Sequence, residues 1–173
     1  VQSIKTRKGE EPFHRKRLCN MNTVSSTDVV NQNVIMIERM KENAVKLLQV
    51  AFQLSGNQYI FRGDYSEQDL ISLEECFNHL YPLEEQPPLT TTFIPFGFYL
   101  GEALVQNIPG AKWNCLYIDE GDLFGIKVTL PTDTGTIQIR PFQWVRNFWF
   151  NRDGNFVELY RKHKYLNKTI VAT

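Results

Sequence analysis

The chain has 173 residues, of which 42% are hydrophobic and 13% aromatic, and 19 Lys and Arg residues balance 19 Asp and Glu residues. This composition excludes a disordered chain, and the length is sufficient for one domain whose core folds without a disulfide or a metal. The formal net charge of zero excludes a global electrostatic attraction to nucleic acid or to a membrane surface.

The charge balance is uneven at the N-terminus, where residues 1–18 carry six basic side chains against two acidic ones. One interpretation of the basic tail, residues 1–22, is an arm for nucleic acid or another anionic surface. The other is a solvated leader or a misassigned start, with Met21 as the true first residue. The second is favoured because Phe13 is the sole aromatic residue among these charges, and nucleic-acid binding is therefore disfavoured. Residues 23–173 are predicted to form a single domain.

Three cysteines, Cys19, Cys76 and Cys115, are widely separated in the sequence. An odd number without a Cys-x-x-Cys pair argues against both a disulfide framework and a zinc site. The sequence contains neither a signal peptide nor an apolar run of membrane-spanning length. We therefore expect a cytoplasmic protein without membrane contact, resident metal or cofactor.

Helical periodicity dominates the first half of the chain. Apolar residues recur at spacings of three, four and seven over 26–54, with Lys41 and the other charged residues largely off that stripe, which predicts a long helix. A second helix is predicted to begin at Ser66, where Ser66 and Asp69 resemble a capping box with Asp in the Glu position. Pro82 ends that helix, and the proline-rich segment 82–92 is predicted to be a loop.

A third helix, predicted over residues 93–108, is apolar on nearly all sides. Such a helix is typical of the centre of a fold. Gly97 and Gly101 lie four residues apart, so they present a flat face for the close approach of another element.

The period then changes to two, which is typical of strands. Three short strands are predicted over 113–118, 123–130 and 136–140, followed by helices over 142–151 and 155–166. This order predicts an α+β fold, in which N-terminal helices pack on a small antiparallel three-stranded meander with one or two C-terminal helices.

Three short motifs have familiar counterparts but are better explained by turns. The sequence Asp-Thr-Gly at 133–135 occurs once, whereas aspartic proteases need two such carboxylates, and it lies at the predicted tip of a hairpin. The Arg-Gly-Asp tripeptide at 62–64 precedes the predicted second helix. The acidic run at 119–122 does not have the alternating spacing of a calcium loop and is predicted to be a solvated turn.

The segment 140–152 interleaves aromatic residues with three arginines. It is compatible with a platform for single-stranded nucleic acid, with a core helix that has a polar back, or with an exposed aromatic patch for a protein partner. Core packing is favoured, because one helical face would collect the residues Phe142, Val145, Phe148 and Trp149.

Glu102 is the candidate functional residue because it interrupts the most apolar helix of the chain. A carboxylate there is costly unless it is paired or hydrogen-bonded. One explanation is a structural ion pair, with Arg140 as the candidate partner. The other is a catalytic or ligand-binding carboxylate in a pocket lined by Tyr99 and Trp113.

The segment 98–105, Phe-Tyr-Leu-Gly-Glu-Ala-Leu-Val, leads through Pro-Gly at 109–110 to Trp113. This pattern, together with 64–66 and 140–142, resembles small bacterial proteins classed as a domain of unknown function, in which an aromatic-Leu-Gly-Glu helix precedes a strand that bears a tryptophan. The resemblance implies a bacterial origin and a similar fold but no particular activity.

The leading hypothesis is a non-catalytic module that binds a protein partner in an accessory or immunity-like role. It rests on the lack of a catalytic signature beside a rich supply of aromatic residues. The alternative is a small-molecule-binding protein or a signature-poor hydrolase that uses Glu102 in a pocket, with Tyr99, Trp113 and Arg140 beside it. The sequence leaves the partner and the oligomeric state open.

Overall fold

The computed structural model of the protein describes residues 26–56, 59–81, 92–114, 125–151 and 156–166. The helices are α1 (Ser26–Leu54), α2 (Glu67–Leu80), α3 (Ile94–Asn107), α4 (Pro141–Asn151) and α5 (Phe156–Leu166). The strands are β1 (Lys112–Asn114), β2 (Lys127–Thr132) and β3 (Gly135–Ile139). The predicted basic tail and the acidic run at 119–122 lie outside the described residues.

The α+β fold is confirmed, with the three antiparallel strands in the order β1-β2-β3. The predicted limits of the middle strand, 123–130, are wrong at both ends, because β2 begins at Lys127 and continues through Pro131 to Thr132. Proline is tolerated there because the last residue of β2 that pairs with β1 is Thr129, so one side of Pro131 has no neighbouring strand. The hairpin turn consequently contains two residues, 133–134, which confirms the turn interpretation of the Asp-Thr-Gly motif.

The core is built around α3, as its composition predicts. Every residue from 95 to 104 is buried, and α3 packs against α1, α4, α5, β1 and β2. A side chain at Gly97 would collide with the ring of Phe142 on α4, and one at Gly101 would collide with the indole of Trp113 on β1. The predicted flat face is therefore confirmed, and each of the two glycines admits one aromatic ring.

An aromatic cluster joins α2 to the C-terminal helices. The ring of Phe77 on α2 lies 5.1 Å from Phe96 on α3 and 5.6 Å from Phe148 on α4, centroid to centroid. The rings of Phe148 and Phe156 are 4.4 Å apart where α4 and α5 meet. Edge and tilted contacts of this kind stabilise a core beyond the area that they bury.

The N-terminus of α2 is capped by Ser66, whose Oγ accepts a hydrogen bond from the backbone N–H of Asp69 at 3.2 Å. The predicted reciprocal bond of a capping box is wrong. The N–H of Ser66 donates to the carboxylate of Asp64 at 3.0 Å, so the Asp69 carboxylate is available to the preceding loop.

The long helix α1 packs mainly on α3. Its buried face carries Ile37, Ala44, Leu48 and Phe52, each at most 5% exposed. Among the described residues, no helix combines the length and the apolar character that crossing a membrane requires.

Candidate functional site

Glu102 lies on α3 with 3% of its surface exposed, and both of its carboxylate oxygens are engaged. Oε1 accepts a hydrogen bond from Gln106 Nε2 at 2.7 Å, one turn along the same helix. Oε2 accepts a hydrogen bond from Trp113 Nε1 at 2.8 Å and forms an ion pair with Lys41 Nζ at 3.0 Å. The carboxylate therefore joins α1, α3 and β1 at one point.

The partner of Glu102 is thus Lys41 of α1 and not Arg140, the candidate favoured by the sequence. Arg140 is exposed at the junction of β3 and α4, whereas Glu102 is buried. Sequence reasoning missed Lys41 because it assigned this residue to the polar side of α1. In the structure the lysine side chain is 13% exposed and also contacts Glu38 at 2.8 Å.

The ionised form of Glu102 is the stable one in this environment. Burial alone raises the pKa of Glu102, but the hydrogen bonds from Gln106, Trp113 and Lys41 outweigh burial and hold that pKa below its ordinary value of 4.5. Burial likewise lowers the pKa of Lys41, and its two carboxylate partners reverse that effect and raise it above 10.5. The two groups are therefore charged at neutral pH and neutralise each other.

Tyr99 belongs to a second polar cluster on α3, centred on Asp69. Its hydroxyl donates a hydrogen bond to Asp69 Oδ2 at 2.7 Å and accepts one from the backbone N–H of Tyr65 at 2.9 Å. Burial, assisted by the neighbouring carboxylate, raises the pKa of Tyr99 far above its ordinary value. The phenol is therefore a fixed hydrogen-bond donor and is 1% exposed.

Asp69 is fully buried and holds the loop that precedes α2. Its oxygens accept hydrogen bonds from three consecutive backbone N–H groups, those of Arg62 at 2.9 Å, Gly63 at 2.7 Å and Asp64 at 3.0 Å. A carboxylate that accepts several backbone donors is well satisfied without a counter-ion. This arrangement confirms that the Arg-Gly-Asp tripeptide is a turn before the cap of α2.

Tyr65, at the end of this loop, has a φ of 59°, in the left-handed region that tyrosine rarely adopts. The conformation is fixed from three sides. The N–H donates to the Tyr99 hydroxyl, the carbonyl accepts from Asn107 Nδ2 at 2.9 Å, and the ring stacks on Tyr99 with centroids 4.7 Å apart. These contacts with α3 therefore hold the backbone of Tyr65 in its strained conformation.

The structure brings two of the predicted ligand-binding residues together, Glu102 and Trp113. Tyr99 bonds to a different carboxylate, and Arg140 lies at the surface. The pocket hypothesis requires a water-accessible Glu102, whereas the observed carboxylate is buried and fully paired. The described residues contain no group of three or more His, Cys, Asp or Glu side chains that could hold a metal ion.

The helix α4 has a buried apolar face and an exposed aromatic side chain on its other side. Phe142, Val145 and Phe148 are buried and Trp149 is half-buried against the core, which confirms the predicted core face. Phe150, on the opposite side, is 58% exposed. Its ring is 4.4 Å from that of Trp149.

We define the α4 outer face by Gln143, Arg146, Asn147 and Phe150. The guanidinium of Arg146 lies 5.6 Å above the ring of Phe150, one turn away on the same side of the helix. Gln143 Nε2 donates to Asn147 Oδ1 at 2.7 Å beside them. The face thus combines an exposed aromatic ring, a cation and two amides.

Comparisons with protein-family models, with curated proteins and with solved structures found no match. The resemblance to a bacterial domain of unknown function therefore stays a prediction, and the function of the chain has to be inferred from the geometry of its own residues.

Proposed function

We propose that this chain is a non-catalytic protein-binding module, accessory or immunity-like in role, whose partner docks on the α4 outer face. One observation carries the proposal. Phe150, a large aromatic side chain, is 58% exposed beneath the guanidinium of Arg146. Exposed aromatic residues and arginine are the residue types most enriched among the anchors of protein interfaces.

The arrangement of the face supports a protein partner over a small molecule. An anchor residue in a protein interface is typically surrounded by polar groups that exclude water at the rim. Here the hydrogen-bonded amides of Gln143 and Asn147 lie beside Phe150 and can fill that role. Small ligands usually bind in a cleft that buries most of their surface, whereas Phe150 is 58% exposed on the outer side of a helix.

The internal polar clusters support a non-catalytic role. A general base or a nucleophile has to reach a substrate atom directly or through one water molecule. Glu102, Asp69 and Tyr99 are each at most 3% exposed. Their polar atoms are hydrogen-bonded or ion-paired to other residues of the chain. They therefore serve to hold α1, α2, α3 and β1 together.

We further propose the cytoplasm as the compartment. The buried thiol of Cys76 is free, and burial raises its pKa above the ordinary value. A thiol of this kind is unreactive and is compatible with a reducing environment.

Affinity enrichment with matched variants tests the proposed function. Tagged wild type, Phe150→Ser and Tyr165→Ser are compared by quantitative mass spectrometry of the proteins that each retains. Tyr165 is the control because it is 52% exposed on α5 and not on the α4 outer face. We expect a protein that is retained by wild type and Tyr165→Ser and lost with Phe150→Ser, since removal of an anchor costs about 2 kcal/mol or more.

The candidate partner is then purified and titrated against all three variants by calorimetry. Equal retention of every protein by wild type and Phe150→Ser would contradict the proposal. Binding of a small metabolite that disappears in Glu102→Gln would instead support the pocket alternative.

A further inference from the structure

The strand β3 forms an uncovered edge of the sheet. The strand order β1-β2-β3 gives β3 a neighbouring strand on one side only. Residues 135–138 are all exposed, and Ile137, whose side chain lies on the core side of the sheet, is still 36% exposed. The outer edge of β3 is therefore accessible to another chain.

The pairing of β3 with β2 determines which of its backbone groups point outward. In an antiparallel pair, opposite residues that exchange both N–H···O bonds alternate with opposite residues that exchange none. Pro131 faces Thr136 and has no N–H, so this pair is of the second kind. Gln138, two residues further along β3, belongs to a pair of the same kind. The N–H and C=O groups of Thr136 and Gln138 therefore point away from β2.

These outward groups require hydrogen-bond partners from outside the sheet. Among the described residues, no turn or loop forms a backbone hydrogen bond with Thr136 or Gln138. Backbone N–H and C=O groups are strong donors and acceptors, and an extended chain along the edge satisfies them as a neighbouring strand does. The edge thus offers two donors and two acceptors in the spacing of a strand.

The two edges of the sheet differ in their protection. The strand β1 has three residues and begins at Lys112, and Pro131 lies on β2 beyond the end of the β1 pairing. The strand β3 has five residues, contains neither proline nor a charge, and keeps an unbroken register with β2. Short length, charge, proline and bulges are the features by which proteins prevent an edge from pairing with another chain. Their absence favours β3 as an edge that accepts a strand, with its five residues as the length that is paired.

The charges beside β3 select the chemistry of the added strand. Strand alternation places Lys127 on the outer face of the sheet, where its Nζ donates to Gln138 Oε1 at 3.0 Å. Arg140 is exposed directly after β3. In the described part of the chain neither cation forms an ion pair with a carboxylate. Asp133 is exposed in the turn at the opposite end of β3, so the Arg140 end is the one that attracts carboxylates.

We propose that β3 binds an extended acidic peptide of a partner protein as an additional strand, with the peptide carboxylates beside Lys127 and Arg140. Backbone hydrogen bonds to Thr136 and Gln138 supply the affinity, and the two cations supply the selectivity. Both existing pairs of the sheet are antiparallel, and antiparallel pairing is slightly more stable per residue than parallel pairing. The added strand is therefore antiparallel to β3, with its acidic residues at its N-terminal end.

This edge is a different surface from the α4 outer face. Phe150 lies in the last turn of α4, whereas Arg140 precedes the first residue of that helix. The binding of a strand at β3 therefore does not rest on the function proposed above.

Fluorescence anisotropy of labelled, capped peptides with the full chain tests the proposal. The probe is Asp-Asp-Val-Thr-Val-Thr-Val. One control, Lys-Lys-Val-Thr-Val-Thr-Val, reverses the charge, and the other, Asp-Asp-Val-Pro-Val-Pro-Val, keeps the carboxylates but lacks two backbone N–H groups. We expect wild type to bind the probe with a dissociation constant below about 0.5 mM and each control about 10-fold more weakly or worse.

A variant of the edge tests the backbone hydrogen bonds. Gln138→Pro removes an outward N–H and leaves the bonds between β2 and β3 intact, because Gln138 belongs to a pair that exchanges none. It should weaken binding of the probe by about 10-fold, since one bond is lost and its acceptor in the peptide is left unpaired. Gln138→Thr is the matched control, because it removes the same side chain and keeps the N–H.

A second variant tests the charges and does not alter the backbone. Lys127→Gln combined with Arg140→Gln should abolish the preference for the probe over the lysine control. Circular dichroism of every variant verifies that the fold is retained. Phe150→Ser should bind the probe as wild type does, so a failure of the proposed α4 docking would leave this result unchanged.

Three results would overturn the proposal. They are no binding of the probe to wild type at about 0.5 mM, equal binding of the lysine control, and binding that folded Gln138→Pro retains in full. Sedimentation of wild type adds a fourth test. A wild-type dimer that becomes monomeric with Gln138→Pro would identify the occupant of the edge as a second copy of this chain instead of an acidic peptide.

Discussion

The ammonium group of Lys41 lies between two carboxylates of different character. Glu38 is on the same helix and its side chain is 58% exposed, so this ion pair contributes little to stability. Glu102 is on α3 and its side chain is 4% exposed, so its charge depends on the partners that surround it. The single residue Lys41 therefore decides whether a buried charge is compensated.

Replacing Lys41 with methionine should destabilise the protein by about 2–3 kcal/mol. The loss of one partner from a fully buried pair costs about 3–5 kcal/mol, but here the bonds from Trp113 and Gln106 remain. Urea denaturation followed by circular dichroism measures the change. Lys46→Met, which removes an exposed lysine from the same helix, should change the stability by less than about 0.5 kcal/mol.

The double variant Lys41→Met with Glu102→Gln provides the decisive comparison. It should be more stable than Lys41→Met alone, because the uncompensated charge is gone. If the double variant is less stable by the sum of the two single effects, the ion pair contributes nothing beyond its separate members.

The pH dependence of the stability of Lys41→Met should also differ from that of wild type. In wild type the lowered pKa of Glu102 gives stability that is present above 4.5 and is lost as the pH falls through the lowered value. Without the lysine, the hydrogen bond and the charge of Lys41 that help to lower this pKa are lost, so the Glu102 carboxylate should protonate at a higher pH than in wild type. The difference in the free energy of unfolding between wild type and Lys41→Met should therefore become smaller in acid, and denaturation at pH 7 and at about pH 4.5 measures it.

For single residues, the sequence predicts which side chains need a partner better than it predicts which residues supply one. Glu102 attracts attention because a carboxylate in an apolar helix needs partners. Lys41 was assigned to the polar side, although it follows Ile37 by four residues and precedes Leu48 by seven, within the buried stripe. The sequence predicts Asp69 as a residue of the helix start. Its burial depends on how the loop at 62–64 folds over it, and the local spacing of residues does not determine that fold.

The two C-terminal helices contact each other through Trp144 and His163. Their rings stack with centroids 5.5 Å apart and an angle of 14° between the planes. The Nδ1 atom of His163 is buried and accepts no hydrogen bond among the described residues. Burial, assisted by Lys162, lowers the pKa of His163 below 6.5, so the neutral ring is the form that packs.

The contact between α4 and α5 should therefore weaken in mild acid. A histidine with a lowered native pKa stabilises the protein fully above 6.5, and the stability falls as the pH drops through the native value. Thermal unfolding between pH 7.5 and about pH 5 should show a decrease in Tm that is smaller in His163→Phe.

His79→Gln is the matched control, because His79 is exposed at the end of α2. The His79→Gln variant should show the same decrease in Tm as wild type between pH 7.5 and about pH 5. If His163→Phe and wild type lose stability in parallel, the stacked histidine is not the group that titrates.

The limits of the helices followed from the sequence to within about two residues, because caps and periodicity act locally. The limits of β2 did not. Whether Pro131 belongs to a strand depends on how far β1 extends beside it, and this is a property of the sheet. The positions of Gly97 and Gly101 could be predicted as a flat face, but the rings that occupy it come from distant parts of the sequence.

The charge of the whole molecule should govern its non-specific association. Acidic and basic residues are equal in number, and the isoelectric point is about 7.0. Net repulsion between molecules is therefore smallest near neutral pH. Static light scattering at low salt should show the most attractive interactions near pH 7 and repulsion at about pH 8.5, where the net charge is negative.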